Sequence, residues 1–345
     1  MGKLKYVASY LIPLLAILTF YVTGLYAYMG LIFLYIAIPI IEYLIPPNAY
    51  NLERAEKELA KEDIGFDMVL YVLVILQLVV IYLFCIKIND ANLALSDIIA
   101  RTAMLGTVLG SIGINVGHEL GHKTNHFIKQ VFAQIILTTS FQNHFITYHN
   151  GGHHKDVGTP KDLSSAKEGD NFYLFAVRSQ IGGYFKTWGL ESAKLKALGK
   201  NPLFNPMIIY TLLPMILTGG IFYFAGQLAV VCYVIAAGYG ISILESQNYY
   251  SHYGLRRKQL DNGRYERVKP HHSWNSDHIL GRIMLFELTR HSDHHHMGAK
   301  EFQILDSKSD SPKLPFGYPA MQLLAYFPFL FKPIMKKHLR SYQIE

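Results

Sequence analysis

Charge is the first thing that this chain has little of. Only 17% of its 345 residues are Asp, Glu, Lys or Arg, and 51% are hydrophobic. Soluble domains carry about 25% charged residues. This balance excludes disorder and a collagen-like fibre, and it argues against the two soluble domains that the length alone would suggest. A formal net charge of +7 first suggests nucleic-acid binding.

Cysteine is also scarce. The two cysteines, Cys85 and Cys232, lie inside apolar runs and form no Cys-x-x-Cys pair. This excludes a cysteine-ligated metal site and a disulfide scaffold, so we interpret both thiols as packing residues. Histidine is absent from the first 117 residues and then frequent, because all but His338 of the 16 lie between His118 and His296.

Six apolar runs are close to the roughly 20 residues that a helix needs to cross a bilayer. They are 6–24, 26–45, 66–86, 97–116, 206–225 and 228–246. The first follows Lys3 and Lys5 as in a signal peptide, but it lacks a convincing cleavage site and predicts a retained helix. Very short turns predict a hairpin of the first two runs and another of the last two. We predict an all-α, six-helix membrane protein in one domain, residues 1–345.

Lysine and arginine are confined almost entirely to one side of this topology. Only Lys87 and Arg101 fall outside the amino terminus, the second-to-third loop, the fourth-to-fifth loop and the carboxyl-terminal third. Because basic residues are retained in the cytoplasm, both termini and the polar blocks 118–205 and 247–345 are predicted to be cytoplasmic, at a bacterial inner membrane. The charge thus reflects topology, and nucleic acid is not an expected partner. Residues 315–339 are expected to lie against membrane lipids.

Three histidine clusters follow the predicted helices. They are His118-Glu-Leu-Gly-His122, His149-Asn-Gly-Gly-His153-His154 and His291-Ser-Asp-His294-His295, with His252 alone between the last two. A single such histidine is usually solvated or hydrogen-bonded, but three groups on one predicted side indicate metal binding. Neutral imidazole suits iron, zinc, copper and nickel. Nine candidate ligands exceed the needs of one ion and suit two.

Two other metal sites fit part of this pattern. His118-Glu119-Leu-Gly-His122 matches the HExxH motif of zinc peptidases, with Glu119 as general base. A zinc ion takes three or four ligands, however, which would leave the other clusters unused. Ferritin-like di-iron proteins repeat a Glu-x-x-His motif on two helices, and this chain does not. An all-imidazole site for two iron ions accounts for more of the histidines.

Longer motifs surround these histidines. They are HELGHK (118–123), HNGGHHKDVGTPKD (149–162), NYYSHYGL (248–255), HSWNSDH (272–278), RHSDHH (290–295) and LPFGYP (314–319). Together they resemble the integral-membrane alkane monooxygenases of the membrane hydroxylase and desaturase superfamily. Three histidine boxes indicate the superfamily, whereas NYxxHYG and HSWNSxH indicate the alkane hydroxylase branch. The resemblance covers nearly the whole chain, to Pro328.

The resemblance implies a non-haem di-iron enzyme that inserts one atom of its co-substrate O2 into a terminal C–H bond and reduces the other to water. It implies that nine histidines bind two iron ions: His118, His122, His149, His153, His154, His252, His291, His294 and His295. Electrons in that family come from rubredoxin and its NAD(P)H-dependent reductase. Two cysteines are too few for a fused rubredoxin, so we expect separate partner proteins.

Some polar residues near these ligands are expected to orient them. As a hypothesis, hydrogen bonds to the imidazoles come from Glu119, Glu245, His272, Asp277, His278 and Asp293. Each has the alternative of an ordinary solvated or structural residue. Two positions depart from the family, since Tyr148 and Ser251 stand where it usually has Glu. Neither is a proposed ligand, so these changes are expected to affect hydrogen bonding around the metal.

The predicted function is terminal hydroxylation of medium- to long-chain n-alkanes to 1-alkanols. Such a substrate binds through burial, at about 0.8 kcal/mol per CH2, so we expect an apolar tunnel among the first four helices that opens to lipid. Glycines such as Gly106 and Gly110 suit either this tunnel or close helix packing. Arg256-Arg257-Lys258 suits rubredoxin docking or reflects topology alone.

Three alternative functions differ in substrate or chemistry. A related hydroxylase would act on another apolar substrate, such as an alkyl-aromatic or terpene methyl group. An acyl-lipid desaturase would use similar histidine boxes to remove two hydrogens. A metal transporter would need ionisable residues in mid-span, and the six runs contain almost none.

Overall fold

The computed structural model describes residues 2–343, and their regular secondary structure is almost entirely helical. Within that range the β-structure consists of two isolated bridges, Gln259 with Tyr265 and Asn275 with Lys313. The all-α prediction is therefore confirmed. Helices are expected of the apolar runs, because every backbone N–H and C=O in lipid must be bonded within its own segment.

Five helical segments are long and apolar enough to cross a membrane: Gly2–Tyr21, Gly24–Leu44, Gly65–Lys87, Leu95–Gly121 and Pro202–His252. The first four match predicted runs, and the fifth joins the last two. Within it, Gly226 has a φ of 79° and a ψ of −176°, which is not helical. Glycine adopts this backbone conformation without a Cβ clash. It separates stretches 206–225 and 227–252, each long enough to span a bilayer, so the count of six spans stays a prediction.

Sixteen α-helices follow one another along the described chain. They are α1 (Leu11–Tyr21), α2 (Met29–Ile32), α3 (Ile38–Leu44), α4 (Arg54–Glu62), α5 (Gly65–Lys87), α6 (Leu95–Val108), α7 (Asn115–Gly121), α8 (Phe127–Thr139), α9 (Phe145–Tyr148), α10 (His154–Asp156), α11 (Phe172–Ala197), α12 (Pro206–His252), α13 (Ile279–Met284), α14 (His291–His296), α15 (Tyr318–Ala325) and α16 (Pro328–Gln343). Short 3₁₀ turns lie at Gly2–Tyr10, Gly24–Tyr28, Pro202–Phe204, Pro270–His272 and Phe302–Ile304.

Three π-helical turns occur at Phe33–Ala37, Leu109–Ile114 and His149–His153. A π-turn has i→i+5 hydrogen bonds and so changes the direction of the side chains around it relative to an α-helix. The second π-turn precedes the helix that carries His118, and the third coincides with the second histidine cluster. These turns therefore influence the direction of the ligand side chains.

The chain divides into two compact units. One comprises residues up to Ile38, Ile64–Ile146 and Leu195–Leu244, and the other comprises Pro39–Asp63, Thr147–Lys194 and the residues from Glu245 onward. The first unit contains most of the apolar helices, and the second contains most of the histidines. The assignment of residues 1–345 to a single domain stays a prediction.

Glycine allows close helix packing inside the first unit. A Cβ atom at Gly106 would lie 2.7 Å from the Ala236 carbonyl oxygen, and one at Gly110 would lie 2.7 Å from the Gly240 carbonyl oxygen. Both carbonyls belong to α12. These two glycines therefore serve close packing, one of their two expected roles.

Aromatic residues form the core of the second unit. Trp274, Tyr249, Tyr253 and Phe331 are buried in one cluster, and Trp274 Nε1 donates to the Tyr253 carbonyl at 2.9 Å. The two tyrosines belong to NYYSHYGL and the tryptophan to HSWNSDH. Residues of these two motifs therefore form part of the packed core of the unit that contains most of the histidines.

Candidate metal centre

Four buried histidines of the second unit form one cluster, here called the tetrad: His153, His252, His291 and His295. Their ligand nitrogens all lie within 4.8 Å of one another. Nε2 of His291 is 3.0 Å from Nε2 of His252 and 3.1 Å from Nε2 of His295. Imidazole nitrogens lie about 2.0–2.1 Å from a bound metal, so neighbouring ligands of one ion are spaced by roughly 3 Å. The tetrad has this spacing.

Three further histidines of the same unit form a second cluster, here called the triad: His149, His154 and His294. The Nε2–Nε2 distances are 2.9 Å for His149–His154, 3.0 Å for His154–His294 and 3.5 Å for His149–His294. In the first unit, His118 lies in α7 and His122 directly follows that helix. Their Nε2 atoms are 2.9 Å apart, as expected for positions i and i+4.

The second and third histidine boxes each supply both clusters. In the second box, the π-turn brings His149 next to His154, five residues later, while His153 enters the tetrad. In α14, His291 and His295 lie four residues apart on one face, so both enter the tetrad and His294 joins the triad. The doubled histidines of the sequence therefore separate into two sites.

The tetrad presents nitrogen lone pairs to a common centre. His153 Nδ1 lies 2.9 Å from Asp162 Oδ2, and its buried Nε2 has no hydrogen-bond partner among the described residues. Because a carboxylate only accepts, the imidazole proton is on Nδ1 and Nε2 carries the lone pair. Burial, followed by the charges of neighbouring histidines, holds the pKa of His295 well below its ordinary value. Neutral imidazoles of this kind are what a metal ion requires.

Asp162 supports the tetrad and was not singled out from the sequence. Ser165 Oγ donates to Asp162 Oδ2 at 2.6 Å, and Tyr148 Oη donates to Oδ1 at 3.2 Å. Burial alone would raise the pKa of Asp162, but the hydrogen bonds from His153 and Ser165 hold it below its ordinary value. The ionised carboxylate fixes the tautomer of His153. The sequence feature that could have indicated this role is the position of Asp162 at the end of the HNGGHHKDVGTPKD motif.

The HSWNSDH motif contributes two more residues that the sequence did not single out. Ser273 Oγ lies 3.4 Å from Nδ1 of His252. Asn275 Oδ1 accepts the Ser292 amide at 2.8 Å, in the first turn of α14. This motif therefore connects the aromatic core to two ligand-bearing segments.

The carboxylates among the predicted orienting residues have different partners. Oε1 of Glu119 lies 3.0 Å from Nδ1 of His118, as the hypothesis requires. Glu245 lies 3.4 Å from Asn248 Nδ2. Asp277 accepts from Ser307 Oγ at 2.8 Å and pairs with a lysine, Lys313, at 2.9 Å.

Asp293 lies within α14 and is fully buried. Its carboxylate pairs with Lys300 at 2.5 Å and with Lys308 at 3.2 Å, and it accepts the Asp306 amide at 2.8 Å. These contacts attach the following loop to the helix that carries His291, His294 and His295. The orienting roles predicted for the acidic residues stay predictions.

His272 and His278 make local hydrogen bonds. His278 Nδ1 lies 2.9 Å from Ser276 Oγ. His272 belongs to a third group with Glu266 and His271. Its Nδ1 accepts the Lys269 amide at 3.0 Å, and its Nε2 lies 3.3 Å from Glu266 Oε1.

In this third group, His272 is not available as a metal ligand. Burial lowers the pKa of His272 to about 4, so the ring is neutral near pH 7. Because its Nδ1 accepts the Lys269 amide, its single proton is on Nε2. That nitrogen therefore offers no lone pair to a metal.

Proteins of similar sequence identify the family. The fatty acid desaturase family model matches residues 97–324. Alkane 1-monooxygenase 1 of Alcanivorax borkumensis is 34% identical over 321 residues, which are 91% of this chain and 78% of that protein. The chain belongs to the alkane 1-monooxygenase family. The histidine clusters, the apolar helices and this family together indicate a multi-pass membrane enzyme with a metal centre.

Other relatives are matched over a shorter region. The alkane 1-monooxygenase of Ectopseudomonas oleovorans is 39% identical over 209 residues, 59% of this chain and 51% of that protein. The xylene/toluene monooxygenase hydroxylase component XylM of Pseudomonas putida is 29% identical over 200 residues, 56% of this chain and 52% of that protein. The chain therefore spans about half the length of these two relatives.

The two departures from the usual alkane 1-monooxygenase pattern both lie in buried hydrogen-bond networks. Tyr148 donates to Asp162, as described above, and also accepts from Ser164 Oγ at 3.2 Å. Ser251 Oγ lies 3.1 Å from Tyr318 Oη. In this alkane 1-monooxygenase relative, a phenol at position 148 thus contributes to the support of His153.

Proposed function

We propose that this enzyme hydroxylates the terminal methyl group of medium- to long-chain n-alkanes to 1-alkanols, with O2 as co-substrate and two iron ions as cofactor. The carrying observation is that buried and half-buried imidazoles form two clusters in a chain of the alkane 1-monooxygenase family. The tetrad would hold one ion and the triad would bind the second, and His118 and His122 are the remaining two proposed ligands. Bound iron would supply the activation of O2.

The protein itself has to hold the ligands neutral, exclude water and admit an apolar chain. Burial of the tetrad provides the first condition, and Asp162 determines that Nε2 of His153 carries the lone pair. An alkane has no polar group and partitions into the bilayer, so we propose that it enters from the lipid phase between the apolar helices. Each buried CH2 group would contribute about 0.8 kcal/mol to its binding.

We propose a separate rubredoxin, reduced by an NAD(P)H-dependent reductase, as the electron donor. The distribution of basic residues supports a cytoplasmic metal centre and cytoplasmic termini at the bacterial inner membrane. Within Arg256-Arg257-Lys258, the Arg257 guanidinium donates to the Lys155 and Glu266 carbonyls. Arg256 and Lys258 are exposed, so these two are the candidates for contact with an acidic partner.

The test is whole-cell turnover with rubredoxin and its reductase supplied. A series of n-alkanes should yield 1-alkanols, and the purified enzyme should contain two iron ions per chain. His149→Ala and His294→Ala should abolish turnover while membrane insertion, followed by membrane fractionation, persists. Alkene products, or stoichiometric zinc in place of iron, would overturn the proposal.

A second candidate is hydroxylation of an alkyl-aromatic methyl group, favoured by the similarity to the xylene/toluene monooxygenase component. Feeding toluene or xylene to the same cells distinguishes the two. Benzylic alcohols without 1-alkanols would favour this candidate, whereas 1-alkanols as the main products would favour the first.

A further inference from the structure

Lys87 and Arg101 are the two basic residues that the predicted topology leaves outside the cytoplasmic segments. Lys87 is the last residue of α5, and Arg101 lies in the second turn of α6. Basic residues are disfavoured on the non-cytoplasmic side of a membrane protein. The contacts of these two side chains in the first unit suggest a reason for their position.

Arg101 is buried, with 2% of its surface exposed. Its guanidinium donates to the Lys87 carbonyl at the end of α5 and, at 3.4 Å, to the Val22 carbonyl just after α1. Carbonyls at helix ends have no intrahelical partner, and a cation is favourable beside them. Its Nε–H, however, has no partner in the part of the chain that the structure describes.

Arg101 and Lys87 share a single carboxylate. Asp90 Oδ2 lies 3.4 Å from the Arg101 guanidinium and 3.8 Å from the Lys87 ammonium. The Lys87 ammonium also lies 4.9 Å from the centre of the Tyr21 ring. These three side chains carry a net charge of +1, and the carboxylate of Asp97, four residues before Arg101, is engaged by the Gly24 amide at 2.6 Å. Arg101 is buried whereas Asp90 is exposed, and a buried charge with a weak counter-charge is costly, so an additional anion would be stabilising.

A cavity of about 420 Å³ lies among these groups. Its lining includes Arg101, Lys87, Thr23 and Asn92, all with hydrogen-bond donors, and the apolar side chains of Phe20 and Leu93. Since α1 and α5 end here and α6 begins nearby, the cavity has the depth at which a bilayer's polar headgroups lie. Positive charge, donors and an apolar wall occur together at that depth.

We propose that this cavity binds the phosphate group of an anionic phospholipid. The phosphate oxygens would accept hydrogen bonds from the lysine and arginine, and the acyl chains would lie against the apolar wall. The site is independent of the histidine clusters and of the proposed reaction. Binding of a phosphate there would explain why Lys87 and Arg101 are present on the side of the membrane where basic residues are disfavoured.

The test measures lipid binding to the full-length purified protein in detergent. Phosphatidylglycerol, diacylglycerol and inorganic phosphate are titrated separately, and binding is followed by native mass spectrometry and by the thermal unfolding midpoint. Lys87→Gln should weaken phosphatidylglycerol binding about fivefold, the contribution of one basic residue near a lipid surface. Asp90→Asn should strengthen it, since it removes the competing anion. Both variants retain the Arg101 side chain that caps the helix ends.

The matched control is Lys258→Gln, which removes an exposed lysine from the second unit and should leave lipid binding unchanged. A further informative result is that inorganic phosphate raises the unfolding midpoint of the wild type but not of Lys87→Gln. That result would support the same phosphate site, with free phosphate and not a lipid as the ligand. Diacylglycerol that binds as well as phosphatidylglycerol would overturn the proposal. So would phosphatidylglycerol binding that neither Lys87→Gln nor Asp90→Asn changes.

Discussion

Asp162 illustrates how a residue that is not a proposed ligand can decide the chemistry of one that is. Its carboxylate accepts from His153 Nδ1, which leaves Nε2 of that ring free of a proton. Ser165 and Tyr148 hold the carboxylate in place through donated hydrogen bonds. A neutral amide at position 162 could present its NH2 group to Nδ1, which would favour the opposite tautomer of His153.

Asp162→Asn should therefore weaken metal binding at the tetrad. Loss of such a supporting residue typically lowers metal affinity 10–100-fold, so roughly that change is expected in the chelator concentration that removes half of the metal. The measurement is metal content per chain after dialysis against graded chelator.

The matched control for this substitution is Asp170→Asn. The Asp170 carboxylate binds Arg178 at 2.8 Å and the Lys167 amide at 3.0 Å, so its loss should not alter metal retention. Equal retention in wild type and Asp162→Asn would contradict the role assigned to the Asp162 carboxylate.

At the scale of elements, one π-turn, one short helix and one close contact between helices position the functional residues. The π-turn at His149–His153 and the short α14 each direct histidines into both clusters. In the first unit, α12 approaches the fourth membrane segment at Gly106 and Gly110. Here a side chain as small as a methyl group would meet backbone atoms, which cannot move aside easily.

Gly110→Ala should therefore destabilise the protein. A Cβ there would lie 2.7 Å from the Gly240 carbonyl oxygen and 2.9 Å from the Gly240 Cα. Overpacking of this kind costs about 1–3 kcal/mol. The measurement is the free energy of unfolding in mixed micelles with increasing denaturing detergent.

Gly219→Ala is the control for helix propensity. It lies in α12, and a Cβ there would have nothing within 4 Å. Alanine is favoured over glycine in helices by about 1 kcal/mol, so this variant should be neutral or slightly more stable. Equal stability of the two variants would show that the close contact at Gly110 has little energetic weight.

At the scale of the whole molecule, the prediction concerns the number of membrane crossings. The segment Pro202–His252 has 51 residues, and a continuous helix of that length would be about 75 Å long, more than twice the roughly 30 Å hydrocarbon core. The non-helical Gly226 provides a position at which the chain can reverse.

Truncation fusions to alkaline phosphatase test this topology, because the enzyme is active only outside the cytoplasm. Fusions after Asn92 and after Gly226 should be active, and a fusion after Lys200 should be inactive. Green fluorescent protein at the same positions should give the opposite pattern. An inactive phosphatase after Gly226 would reject the six-span topology and with it the division of the last apolar segment.

Much of this molecule could be predicted from local sequence. The length of the apolar runs determined the helical membrane class, because lipid leaves a buried backbone no other partner than its own segment. The first four runs correspond to helices in the structure, and α7 carries His118 and His122 at helical spacing. The motifs around NYYSHYGL and HSWNSDH indicated the family that the relatives then showed.

Only the tertiary structure decided how the histidines are shared and what supports them. Nothing in the spacing of His149, His153 and His154 separates them into triad and tetrad, because that depends on a π-turn and on which side chains face it. The pairing of His153 with Asp162 depends on the path of the intervening turn. Periodicity along a chain specifies which face a residue occupies, whereas its partners depend on how distant segments pack.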